Sequence, residues 1–177
     1  PDAVDNDRDR RLLDSAINHL KTALIIENRA AHLYNAIGRL FWLNRELDSA
    51  IVYFNSAIML APRWKFPYNN LGGVYQEKSN EIKTNQKKTY VNIAIQAFEK
   101  AISLDNRYLI AIKNLGRLFY ENGLAVQAKQ IYQNAFFSDR KFAAAYHLLA
   151  DAYKEENKLD SAFYVLDQGL AKSPEDI

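Results

Sequence analysis

Residues 31–64 read AHLYNAIGRLFWLNRELDSAIVYFNSAIMLAPRW, and the pattern in this stretch recurs through the rest of the chain. Its large apolar residues recur three and four positions apart in two successive segments, which is the spacing of one face of a helix. They are Tyr34, Ile37, Phe41, Ile51, Phe54 and Ile58. Gly38 and Ala50 are small where two helices would cross closely, and Pro62 is a stop signal. The stretch therefore predicts two amphipathic helices packed against each other.

The same landmarks return along the chain at a fixed interval. Gly38 and Gly72 are 34 residues apart, and so are Gly116 and Ala150. A second series of small residues keeps this interval except for one step of 44 residues; it comprises Ala16, Ala50, Ala94, Ala128 and Ala162. One helix pair cannot bury its apolar face alone and must pack against the next. The repeat therefore predicts a stack of helix pairs.

These spaced residues resemble the pattern of the tetratricopeptide repeat family. That pattern has an aromatic residue, a Leu-Gly pair and a Tyr on the first helix, then an Ala, a Phe and a Pro on and after the second. Residues 31–64 match it at Tyr34, Ile37, Gly38, Phe41, Ala50, Phe54, Ala57 and Pro62. The resemblance implies an all-α fold, a right-handed superhelical solenoid of antiparallel helix pairs.

The interval also predicts the domain organisation, a single solenoid fragment over residues 1–177. Residues 1–10 carry no apolar stripe, so we expect residues 11–30 to hold only the second helix of a partial repeat, over about residues 11–27. Full repeats are expected over residues 31–64, 65–108, 109–142 and 143–177. Both ends are then expected to be those of an excised fragment, with any targeting segment outside it. The compartment stays open, with the cytoplasm slightly favoured.

The second full repeat contains ten extra residues between its helices, within residues 76–91. Insertions within a repeat project from one edge of a solenoid. One interpretation is a solvated helix extension, because Tyr90 continues the stripe of the second helix one turn earlier. The other is a projection that contacts a partner, since lysines outnumber acidic residues in this stretch.

Composition excludes several classes of protein. Of the 177 residues, 49% are hydrophobic and 25% are charged. No apolar run approaches the roughly 20 residues of a membrane span, so no membrane insertion of this segment is expected. The net charge of +2 is too small to predict nucleic acid as a partner. Cysteine is absent, which excludes disulfides and thiolate metal sites.

No catalytic constellation is found in the sequence. His19, His32 and His147 lie in different repeats without paired-ligand spacing, so neither a metal site nor a cofactor is expected. The Gly72-Gly73 pair follows no predicted strand and is not a phosphate-binding loop. No serine lies in a Gly-x-Ser-x-Gly elbow. We therefore expect a non-catalytic segment.

The predicted binding surface is the groove lined by the first helix of each repeat. Polar, basic and aromatic residues follow one face of these helices next to the core landmarks, three and four positions apart. The candidates are Asn35, Arg39, Trp42, Phe66, Asn69, Asn70, Lys113, Asn114, Arg117, Tyr120 and His147. The family resemblance implies that this groove takes an extended peptide or a partner helix. Arg39, Lys113 and Arg117 favour an acidic one.

Three functions follow from these observations. A protein–protein interaction scaffold that binds a peptide or protein in the groove is favoured by the fold and the groove residues. Self-association is an alternative, because the last helix carries apolar residues with no further repeat to cover them, namely Phe163, Leu166 and Leu170. A regulatory or substrate-docking arm of a larger enzyme is the third.

Overall fold

The computed structural model describes the backbone of residues 2–138 and 143–172, and the side chains of residues 8–135 and 146–171 except those of residues 155 and 170. Within these ranges the chain forms nine α-helices and no strand, which confirms the predicted all-α fold. The helices are α1 (Asp2–Ile26), α2 (Ala31–Leu43), α3 (Leu47–Leu60), α4 (Lys65–Glu81), α5 (Gln86–Leu104), α6 (Leu109–Glu121), α7 (Ala125–Ser138), α8 (Ala143–Glu155) and α9 (Leu159–Lys172).

Helices that follow one another pack in antiparallel pairs, because the turns between them are short. The pairs α2 and α3, α6 and α7, and α8 and α9 each pack side by side. Their turns place one residue in the left-handed conformation just after the first helix, at Arg45, Gly123 and Asn157 respectively. This conformation ends a helix and lets the chain reverse at once. The fold is therefore built from helix hairpins, as the interval of the landmarks predicts.

The chain divides into two compact units, residues 1–97 (unit 1) and residues 98–177 (unit 2). In unit 1 the side chains of Ile37 and Phe54 are fully buried between α2 and α3. A methyl group added at Gly38 would lie 2.8 Å from the Phe54 ring. The close crossing of two helices predicted at Gly38 is thus present.

Unit 2 has its own core around α6, α7 and α8. Ile112, Leu115 and Tyr146 are almost fully buried in it. A methyl group at Gly116 would collide with the ring and hydroxyl of Tyr132 on α7. The Tyr132 phenol is buried, and this burial raises its pKa to about 12. Gly116 therefore also lies at a close helix crossing.

The first helix is longer than the sequence predicts. α1 begins at Asp2, whereas the apolar stripe indicated a start near Arg11. The reason is that residues 2–10 contain neither glycine nor proline to stop a helix, and a helix can continue into solvent without an apolar face. Arg8, Asp9 and Arg10 are accordingly exposed.

The ten-residue surplus lengthens the two helices on either side of the α4–α5 turn. The turn itself is closed by the Lys87 amide, which donates to the Thr84 carbonyl at 2.9 Å. Tyr90 packs against Tyr75 with ring centroids 5.8 Å apart, and the Lys78 ammonium lies 5.4 Å from the Tyr90 centroid. The base of the insertion therefore contributes to packing, while residues 83–88 are exposed at its tip.

Candidate functional site

The candidate residues lie on the first helices of the hairpins. Those of unit 1 are on α2 and α4, which we call the unit-1 face, and those of unit 2 are on α6 and α8, the unit-2 face. Within each unit the two first helices contact each other directly. Because of this contact, residues on neighbouring first helices can act together.

Two of the candidate asparagines in unit 1 bind each other. Asn70 Nδ2 on α4 donates to Asn35 Oδ1 on α2 at 2.9 Å. Asn35 is only 8% exposed, and Asn69 is buried as well. Asn35 and Asn70 therefore join α2 to α4, and Asn35 and Asn69 are less accessible than groove residues need to be. Asn70 is half-buried and lies nearest to solvent among the three.

Trp42, one of the candidate groove residues, packs between α2 and α4. Its ring covers Gly73 on α4, where an added methyl group would collide with it. It also meets Phe54 edge to face, with centroids 6.4 Å apart. Its indole Nε1 donates to Glu77 Oε2 at 2.6 Å. The side chain is half-buried and joins α2 to α4.

Sequence reasoning missed Glu77. Its carboxylate accepts the Trp42 bond and forms an ion pair with Arg45, the residue that holds the α2–α3 turn in a left-handed conformation. Trp42 and Glu77 are 35 residues apart, and so are Asn35 and Asn70. A residue on one first helix thus contacts the residue 35 positions later on the next first helix, which is one position more than the repeat interval of 34. This offset is the signal that could have revealed both pairs.

The remaining candidates of unit 1 are Arg39 and Phe66. Arg39 is exposed and makes no ion pair with another residue in the described part of the chain. Phe66 at the start of α4 is 42% exposed. Trp64 meets it edge to face at 5.8 Å, and the Lys65 ammonium lies 5.3 Å from its centroid. The unit-1 face therefore offers one cation and one partly exposed aromatic ring.

The unit-2 face is more open. Ile110, Lys113 and Arg117 are three and four positions apart on α6, so they share one side of the helix, and all are exposed. On the neighbouring α8, His147 and Asp151 are exposed too. Arg117 Nε lies 3.7 Å from Glu121 Oε1, a weak pair within one helix. The face thus combines an apolar side chain with two accessible cations.

Tyr120 and Asn114 are less accessible than predicted. The Tyr120 hydroxyl donates to the Ala152 carbonyl at 3.3 Å, and its half-buried ring packs against the core of unit 2. Asn114 is also half-buried. Both residues therefore belong to the base of the unit-2 face rather than to its open surface.

No other chemistry stands out in the described residues. Among them, no group of three or more His, Asp or Glu side chains is arranged to hold a metal ion. No helix in the described ranges is long and apolar enough to cross a membrane.

A cluster of charges ties α7 to the α8–α9 turn in unit 2. Glu156 accepts hydrogen bonds from Lys158 at 2.8 Å and from Lys129 on α7 at 3.0 Å. These bonds, first to Lys158 and then to Lys129, lower the pKa of the Glu156 carboxyl. The lowered pKa means that ionised Glu156 stabilises the folded state.

We expect this stabilisation to disappear in acid. A carboxyl group whose pKa is lowered by folding stabilises the folded state at pH values above its pKa in the unfolded chain, which is about 4.3 for Glu. This stabilisation is lost as the pH falls through the pKa of the group in the folded protein. Glu156→Gln should therefore lower the free energy of unfolding by about 1 kcal/mol at neutral pH, with a smaller difference below about pH 4. Urea unfolding across pH measures this, with exposed Glu99→Gln as control. A difference that does not change with pH would contradict the assignment.

Comparison with known proteins agrees with this architecture. Residues 31–63 match the family model of the tetratricopeptide repeat. No curated protein matches the chain by sequence. The crystal structure of MamA is 21% identical, with a TM-score of 0.66 over 99% of this chain and 96% of that one. A thermophilic tetratricopeptide protein of Thermus thermophilus is 18% identical, with a TM-score of 0.67 over 93% and 84%.

A third solved structure, PilF of Pseudomonas aeruginosa, is 20% identical, with a TM-score of 0.66 over 91% of this chain and 70% of that one. At these identities the likenesses show the fold, and the matched repeat is the α2–α3 hairpin with the first residues of the turn that follows it. Residues 31–63 thus match a tetratricopeptide repeat, and the chain shares the helical-repeat fold of these solved structures. Proteins of this kind are in general non-catalytic scaffolds that bind protein partners.

Proposed function

We propose that this segment is an interaction scaffold that binds an acidic, extended peptide of a partner protein, with the unit-2 face as its main contact. The observation that carries the proposal is the exposure of Lys113 and Arg117 beside Ile110, on one side of α6. An Arg and a Lys one turn apart can take two successive carboxylates, and charge-assisted bonds of this kind are stronger than neutral ones. Ile110 offers an apolar contact beside them.

His147 on α8 extends the same face. Its exposed imidazole can donate or accept a hydrogen bond with a peptide group. Arginine and aromatic residues are frequent energetic centres of interfaces. On the unit-2 face, Arg117, Lys113 and Ile110 therefore support a peptide that carries both acidic and apolar side chains. The unit-1 face is a separate surface, on which Arg39 and Phe66 are exposed.

Arg117→Glu is expected to weaken an acidic peptide at least tenfold, because it replaces a charge-assisted contact by a repulsion. Fluorescence anisotropy with acidic, neutral and basic peptides of equal length measures the effect, and the affinity of the acidic peptide should fall as salt rises. Lys100→Glu, an exposed lysine of unit 2 on α5, is the charge-matched control. Neutral and basic peptides that bind as well as acidic ones, or an equal loss in the control, would overturn the proposal.

Self-association is a second candidate. Phe163 on α9 is 65% exposed, and Tyr164 beside it is equally exposed. Leu166 is partly buried against the core of unit 2, and Leu170 lies outside the described side chains. Apolar exposure at the last described helix favours stacking on another copy. Light scattering over a concentration series separates this function from peptide binding by a monomer.

A further inference from the structure

One end of the unit-1 helices carries exposed apolar side chains beside arginines. α1 and α3 finish at this end, and α2 and α4 begin there, because each packs antiparallel to the next. Ile25, Ile26 and Met59 are 82%, 88% and 83% exposed. Leu60 is also exposed, and so are Arg29 and Arg63. We call these six residues the apolar–basic edge.

The edge consists of two equivalent groups of residues, one from each of two successive repeats. Each of its residues at the end of α1 or in the turn after it has a counterpart 34 residues later, at the end of α3 or in the turn after that helix: Ile25 and Met59, Ile26 and Leu60, Arg29 and Arg63. Both turns are held by a tyrosine of the following helix. The Tyr34 hydroxyl donates to the Asn28 carbonyl at 3.2 Å, and the Tyr68 hydroxyl to the Pro62 carbonyl at 3.0 Å. The exposed side chains thus lie at two helix ends whose following turns are held in place.

The two arginines of the edge have no acidic partner in the described part of unit 1. Arg29 and Arg63 make no ion pair with a described residue, and Glu27 is the only acidic residue in residues 25–30 and 59–64. Single exposed apolar residues are ordinary on protein surfaces. Here two helices that finish at the same end of unit 1 each expose two adjacent large apolar residues beside an arginine that no described residue pairs. Exposed apolar surface of this size marks an interaction site.

We propose that the apolar–basic edge binds the surface of an anionic phospholipid bilayer. Its arginines would meet lipid phosphates, where each cation contributes to attraction near the surface. Its isoleucines and methionine would enter the boundary between headgroups and acyl chains. Anchoring at this depth needs both an apolar and a basic element, because either alone gives marginal binding. The proposal does not rest on peptide binding by the first-helix faces.

An acidic protein is the competing partner for this edge, and the position of the apolar residues argues against it. Protein interfaces gain most from side chains that fill desolvated pockets. Ile25, Ile26 and Met59 lie instead at the last turns of two helices, where they project outward and are almost wholly exposed. A bilayer surface can accept such projecting residues without a complementary cavity.

Co-sedimentation with lipid vesicles tests the proposal on the whole chain. We expect binding to vesicles of phosphatidylcholine mixed with phosphatidylserine, decreasing with salt, and none to phosphatidylcholine alone. The double variant Arg29→Glu with Arg63→Glu should lower the partition coefficient at least tenfold. Ile25→Ser with Met59→Ser should lower it by a similar factor. These residues are exposed, so the variants should keep the helical circular dichroism of the parent.

The matched control is Lys87→Glu with Lys88→Glu. These exposed lysines begin α5, at the opposite end of α4 from the edge, and the change of charge is the same. They lie well beyond a Debye length from the edge, so this variant should bind nearly as the parent does. Absence of binding to both kinds of vesicle, or equal loss in the control, would overturn the proposal. The proposal would also be overturned if the parent did not bind vesicles and the edge variants lost binding to an acidic protein. That result would assign the edge to the protein partner.

Discussion

Replacing Trp42 by alanine is expected to lower the free energy of unfolding by about 3 kcal/mol. The change removes the ring that covers Gly73 and meets Phe54 edge to face, and it removes the hydrogen bond to Glu77. The ring is half-buried, so the expected loss lies at the low end of the range for Trp→Ala changes. Urea unfolding followed by circular dichroism measures the loss.

A second variant separates the ring from its polar group. Trp42→Phe keeps most of the apolar surface but leaves Glu77 Oε2 without its indole donor, which should remove about 1 kcal/mol. Phe163→Ala, at an exposed position on α9, is the control and should change stability little. If Trp42→Ala is as stable as the parent, then Trp42 does not join α2 to α4.

Replacing Gly116 by leucine is expected to remove about 2 to 3 kcal/mol of stability through overpacking. The first added carbon already collides with Tyr132, whose ring is buried between α6 and α7 and has little room to move. Gly116→Ala should have a smaller effect in the same direction. Gln127→Leu adds a leucine at an exposed position of α7 and serves as the control.

The loss at Gly116 should also be local. In repeat proteins each helix pair contacts only its neighbours, so damage to one pair need not unfold the rest. Hydrogen exchange should therefore show faster exchange in α6 and α7 and nearly unchanged protection in α2 and α3. Uniform loss of protection along the chain would contradict this expectation, and an unchanged melting temperature would refute the crossing at Gly116.

Much of the fold could be predicted because its signals are local. The three-and-four spacing of Tyr34, Ile37 and Phe41 defines the buried side of α2 without knowledge of any other segment. The small residues Gly38 and Gly116 indicated close crossings, and each faces an aromatic ring of the paired helix. The start of α1 was predicted less well, because a solvent-exposed helix needs no apolar stripe.

The candidate surface was harder to predict. Asn35, Asn69 and Trp42 lie beside the core stripe of their helices, and the sequence pattern placed them in an open groove. The structure buries or half-buries them, because α2 and α4 contact each other and cover the residues between them. A helical pattern shows which residues share a face, but it does not show how wide a band the next helix covers.

Three properties of this chain can be read from its amino-acid sequence without a structure: it is all-α, its landmarks recur every 34 residues except for one step of 44, and it carries close helix crossings. All three follow from the period of apolar and small residues. The accessibility of the polar residues, in contrast, is determined by tertiary packing. Packing leaves Lys113, Arg117 and Arg29 exposed to solvent. It also brings Trp42 into hydrogen-bond contact with Glu77. The physical reason is that accessibility depends on the neighbouring helix, which the residue's own segment does not specify.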